Sequence, residues 1–174
     1  ALMASVIAEY GLEKAEEWAT GLVSNLAKRP QGNDRAQVKG IYEGLCDVAI
    51  INNYYFGKLK YSEDSVQREW AKSMRLTFPN QEEGDRGAHI NISGGGVAKH
   101  SKNKESAIKL LEFLSNSKSQ KMYSEINFEY PVNVKVEPSE ELVSWGNFRE
   151  DKISIEKIAQ LSIDAQKIID RVGW

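Results

Sequence analysis

The sequence has little of the equipment that most metal and catalytic sites use. Its 174 residues include two histidines, His89 and His100, and one cysteine, Cys46. Two histidines so placed, with no His-Glu-x-x-His, do not assemble a zinc site. A single cysteine forms no internal disulfide. No Gly-x-Ser-x-Gly elbow is present, so enzyme readings lack a nucleophile and its base. The 23 basic residues are mixed with 25 acidic ones, form no run and leave a net charge of −2. That balance argues against a nucleic-acid partner. No apolar stretch approaches the ~18 residues that a membrane span needs.

What is there has the composition of an ordinary soluble globular chain, 41% hydrophobic and 28% charged. The length suits one domain or the remnant of a two-domain protein. Ala1–Ala8 is already helical in pattern, with apolar residues at 2, 3, 6 and 7. No cap residue, initiator methionine or basic n-region precedes it, so it reads as an internal start, not a signal peptide. Asp170–Trp174 reads as a helix finished by glycine.

Helices are expected over 2–9, closed by Gly11, and over 13–27, with Trp18, Leu22, Val23 and Leu26 on the apolar face. Asn33 or Asp34 caps a short helix over 35–43 that Gly44 stops. Leu45–Ile51 is apolar on both faces except at Asp47, the pattern of a central parallel strand. Cys46 on it is a small buried hydrophobe, or has a partner upstream of Ala1. Tyr54–Lys60 reads as a loop or single turn, and Ser62 as the cap of a helix reaching Met74. Strands are expected at 75–78 and 88–92, and Glu129–Val134 is extended because Pro131 biases Tyr130 out of helix. Helices follow at 104–115, 118–125 and 154–171, the first with Ala107, Ile108, Leu110, Leu111 and Leu114 inward. The expected class is α/β.

Two stretches could carry chemistry. Ser93-Gly94-Gly95-Gly96 follows a strand and precedes a helix, the setting of a phosphate cradle. It matches neither Gly-x-x-x-x-Gly-Lys nor Gly-x-Gly-x-x-Gly, and the helix starts late, so a tight turn or hinge is the better reading. The second is Asn52-Asn53-Tyr54-Tyr55, directly after the expected strand. Two rings could simply pack at a sheet edge with wet hydroxyls. Alternatively, ligands bind beyond the carboxyl ends of strands in open α/β sheets. Past the strand, adjacent phenols can turn toward one cleft. A free phenol has a pKa of about 10 and binds only a strongly polarising cation at neutral pH, with release of protons. Ferric ion fits that demand. Calcium and magnesium prefer carboxylates and carbonyls, and zinc and copper prefer imidazole and thiolate.

The stretch Lys28–Asp34 and then Gly44 through Tyr55 resembles the periplasmic ferric-ion-binding proteins, the substrate-binding components of bacterial iron(III) ABC transporters. Asn91–Val97, Glu129–Asn133 and Glu137–Leu142 resemble the same family, in the same order, with the cyanobacterial-type members nearest. The resemblance implies a periplasmic-binding-protein type II bilobal fold, here an N-terminally truncated part. Residues 1–86 would belong to the second lobe, 87–135 would cross to the first, and 136–174 would return. It implies that Tyr54 and Tyr55 are phenolate ligands to Fe(3+). Asn33 and Asn52 match positions beside the site, where some members hold a synergistic anion. Further ligands, including another tyrosine, and a partner for Cys46 would lie upstream. The implied partner is an inner-membrane ABC permease, the location the periplasm, and the intact protein a monomer that is not an enzyme. Two rival readings are the same fold holding an organic anion or polyamine, and a phosphate-handling transferase built on the glycine run.

Overall fold

Apolar residues at helical spacing decide most of the architecture. In the computed structural model, which describes residues 1–174, the order is α1 (Leu2–Ser24), α2 (Asp34–Tyr42), α3 (Tyr54–Lys60), α4 (Ser65–Lys72) and α5 (Lys104–Ser115). Then come α6 (Ser117–Met122), a π-helical turn (Tyr123–Asn127), α7 (Glu140–Ser144), α8 (Ile155–Gln160) and α9 (Ser162–Val172). No helix is long and apolar enough to cross a membrane.

The chain folds as two compact units, 1–32 with 78–91 and 148–174, and 33–77 with 92–147. In the first, the core is Met3, Ala4, Val6, Ile7, Ala15 and Ala19 of α1 against Ala165 and Ile168 of α9. Alanines at the contact leave room for close helix approach, and Trp18 meets Trp174 edge-on at 5.7 Å. Gly11 is expected to end a helix, and it does break the helical path: α1 is kinked there, with φ +82°. The expected last helix is likewise two, α8 capped by Ser154 and α9 closed by Gly173 in the left-handed conformation. Below this core lies a buried ion pair, Arg86 with Asp151 at 3.3 Å, both side chains less than 10% exposed. Its N–H is not aligned on the carboxylate Oδ2, which accepts no hydrogen bond. The guanidinium donates instead to the Ser5 carbonyl (2.9 Å).

The second unit has a smaller apolar core, Val38, Leu59 and Ala71 from α2, α3 and α4. An aromatic group extends it: Phe128 stacks on Tyr61 at 5.5 Å, and Trp145 meets Phe56 at 5.9 Å. Beside it the Glu141 carboxylate accepts from Lys60 Nζ (2.8 Å), Tyr61 Oη (2.7 Å) and Trp145 Nε1 (2.8 Å). Burial alone would push Glu141 up, but these donors outweigh it and hold its pKa below the ordinary carboxylate value. The helix over 104–115 forms with the expected bounds, but none of its side chains is buried, and Ile108, Leu110 and Phe113 are about half exposed.

The α/β expectation is not met within the chain, which is helical. Residues 45–51, 75–78 and 129–134 form no strand, and the segment 88–92 makes one isolated parallel bridge, Ala88 with Glu150. Ala88 N donates to Arg149 O and Asp151 N to Ala88 O, both at 2.8 Å. A strand exists through pairing, because its N–H and C=O groups need a neighbouring ladder. The apolar run finds no ladder and only partial cover: Ile51 packs against the Val38–Leu59–Ala71 core, while Val48 is 80% exposed.

Candidate functional site

Tyr54 and Tyr55 open a helix and not a loop, since Tyr54–Lys60 is α3. Its first turn is nucleated by Tyr55 N to Asn52 O (3.1 Å) and Phe56 N to Asn53 O (3.0 Å). Neighbours in a helix diverge by about 100°. The two rings nevertheless turn together, with centroids 4.4 Å apart and planes inclined by 30°. The Tyr55 phenol, hydrogen-bonded to Tyr54, holds Tyr54 well above its ordinary pKa, at about 12, with burial adding to the rise. Such a phenol gives up its proton only to a strongly polarising cation.

Two cations and two carboxylates border the pair. The Arg35 guanidinium lies 5.5 Å from the Tyr55 centroid, and Lys58 Nζ lies 5.0 Å from that of Tyr54. Arg35 Nε is buried and has no hydrogen-bond partner. Asp34 and Glu129 are near enough to add to the rise in the Tyr54 pKa. The asparagines serve different ends. Asn33 caps α2, its Oδ1 accepting from Ala36 N at 3.3 Å. Asn52 is clamped from α2: Asp34 Oδ1 accepts from its N (2.7 Å) and its Nδ2 (3.1 Å). The structure therefore brings Asn52 to the tyrosine segment through Asp34, while Asn33 Oδ1 is turned to its own helix.

Arg35, Asp34, Lys58 and Glu129 were not legible as site residues. Only Lys58 had a usable signal, four residues after Tyr54, and that spacing places two residues on one face only once the segment is helical. A hollow of about 1000 Å³ in the second unit opens elsewhere, between Lys58, Tyr61, Phe128, Glu137 and Glu141. It does not include the tyrosine pair. Neither histidine joins a cluster, and no group of three or more His, Cys, Asp and Glu is placed to hold a metal. Burial keeps the His89 imidazole below its ordinary pKa. Gly95 of the glycine run lies against Leu111 of α5. Cys46 is a free thiol, partly buried beside Gly40.

The two phenol rings are tilted against each other by 30°. The chain is similar to the ferric iron-binding proteins along nearly its whole length. It is 40% identical over 173 residues to iron uptake protein A1 of Synechocystis, an alignment that takes in 99% of this chain and 48% of that protein. Its backbone matches a ferric binding protein from Campylobacter jejuni with a TM-score of 0.94 and 41% identity, over 99% of this chain and 54% of the other. A Trichodesmium protein solved in complex with iron and citrate matches at 0.91 and 44%, over 99% and 54%. The chain thus spans about half the length of the relatives it matches. No family model matches it.

Proposed function

We propose that the protein carries ferric iron, held by the phenolates of Tyr54 and Tyr55, and hands it to an inner-membrane ABC permease from the periplasm. The observation that carries this reading is the tyrosine pair, rings 4.4 Å apart, at the head of α3. The similarity to iron-uptake and ferric-binding proteins along 99% of the chain supports it. Ferric ion is the cation whose charge repays deprotonating two phenols, one of them held at about 12. The exposed side of the pair leaves the other coordination positions to oxygen donors from outside the matched half, in a periplasmic-binding type of two lobes. In that reading residues 1–86 and 136–174 belong to one lobe and 87–135 cross to the other. An anion such as citrate would share the site, with Arg35 and Asn52 as its nearest polar groups.

Ferric citrate titration tests the reading. Iron on phenolate gives a visible charge-transfer band, which Tyr54→Phe/Tyr55→Phe should abolish. Apparent affinity should rise with pH, by up to about a hundredfold per unit if both phenols lose a proton on binding. The 174-residue chain alone should hold iron far more weakly than the intact protein. An intact protein that stays colourless and takes up no iron would falsify the reading.

A further inference from the structure

We infer that Phe128 and Gly57 form a wedge that positions the tyrosine pair, so that the aim of the phenols is set from outside their own segment. The inference rests on the ferric reading for its purpose, but its geometry stands independently of the metal.

Gly57 sits three residues after Tyr54, close to one turn along α3, and so on nearly the same face. It is buried, and the Phe128 ring lies flat against it. A Cβ built at Gly57 would fall 2.6 Å from Phe128 Cδ2, 2.7 Å from Cδ1 and closer still to Cγ. No real side chain fits there, so the glycine is required by a close approach and not by its own backbone.

Three features hold the ring in place. Phe128 is only 7% exposed. Tyr61 stacks on it, planes inclined by 12°, and Trp145 lies 6.5 Å away. Its backbone is left-handed, φ +57° and ψ +39°, directly after the π-helical turn Tyr123–Asn127. A residue with a Cβ adopts that conformation only where its surroundings enforce it, and both π turns and such outliers gather at functional segments. The same turn delivers the next residue, Glu129, to the field felt by Tyr54. The wedge therefore ties the head of α3 to the π turn, fixing the roll of α3 about its axis and with it the direction of both phenols. Phe128 is a positioning residue: it acts through α3 and does not touch the metal.

The test compares Gly57→Ala and Phe128→Ala with Leu142→Ala, a fully buried control in the same unit. In the metal-free 174-residue chain, selectively labelled tyrosine rings should show ring-to-ring nuclear Overhauser contacts between Tyr54 and Tyr55. Both wedge variants should lose them, and the control should keep them. Retained contacts in both wedge variants, or equal loss in the control, would overturn the inference. Phe128→Ala introduces no clash, so it keeps the test decisive if Gly57→Ala fails to fold. Ferric citrate added to the intact protein separates the two ideas. No charge-transfer band in the unsubstituted protein would sink the ferric reading. A band of unchanged intensity and position in both wedge variants would sink the wedge alone.

Discussion

The two units solve the same packing problem with different materials. The first relies on apolar contact between long helices, with small residues at the interface and one buried ion pair below. The second has a core of three fully or nearly buried apolar residues and supplements it with aromatic stacking and the polar hub at Glu141. The difference shows where each side chain's value lies. In the first unit a residue matters through the volume it fills. In the second it matters through where it aims a neighbour, as Phe128 does for α3 and Asp34 for Asn52.

That contrast can be broken by substitution, because each unit carries two of the four tryptophans, Trp18 and Trp174 in one, Trp70 and Trp145 in the other. Fluorine-labelled tryptophan spectra followed through a urea titration therefore report each unit separately. The largest effect is expected from Arg86→Met. It leaves the Asp151 carboxylate buried without its cation and should cost the first unit about 3–5 kcal/mol. A cost below about 1 kcal/mol, as for exposed pairs, would show that the pair is not buried in solution. Ile168→Ala should cost the same unit about 2–5 kcal/mol through the cavity it leaves, with Trp70 and Trp145 unmoved.

Glu141→Gln probes the other unit and should cost about 1–3 kcal/mol, since three donors lose a charged acceptor. The sign of its pH dependence follows from the depressed folded pKa. The stabilisation is present above the unfolded carboxylate value and is lost as pH falls through the lower folded one. Acid titration of the Trp145 signal should show that loss in the parent chain and a flatter curve in Glu141→Gln. The smallest effect is expected from Asn33→Ala. It removes a long cap bond from α2 and should cost about 0.5–1 kcal/mol. The Tyr54–Tyr55 ring contacts should be unchanged; if they vanish, Asn33 acts on the site and not only on its helix.

Local signals in the sequence were read at the resolution that local physics allows. Asn33 and Gly173 mark helix ends as expected, because caps depend on residues a few positions apart, whereas α4 is capped by Asp64 and not by Ser62. The helix over 104–115 is bounded correctly by its apolar period, yet its apolar side is only partly covered, since periodicity shows which face is apolar and not what meets it. The strand pattern of 45–51 failed in this chain for a related reason. An apolar run is consistent with a strand, but a ladder needs partners that a pattern does not supply. In the sequence Tyr54–Lys60 reads as a loop or single turn. Instead Gly57 and Leu59 bury the segment as a helix.

The paired tyrosines, the scarcity of imidazole and thiolate, and the caps that start α2 and α8 were determined by the sequence alone. Each depends on residue identity within a short stretch of chain. Tertiary structure decided that Asp34 reaches Asn52 from 18 residues away, and that Phe128 seats on Gly57. Those contacts join segments distant in sequence, and close packing admits them only at the distances the folded backbone sets.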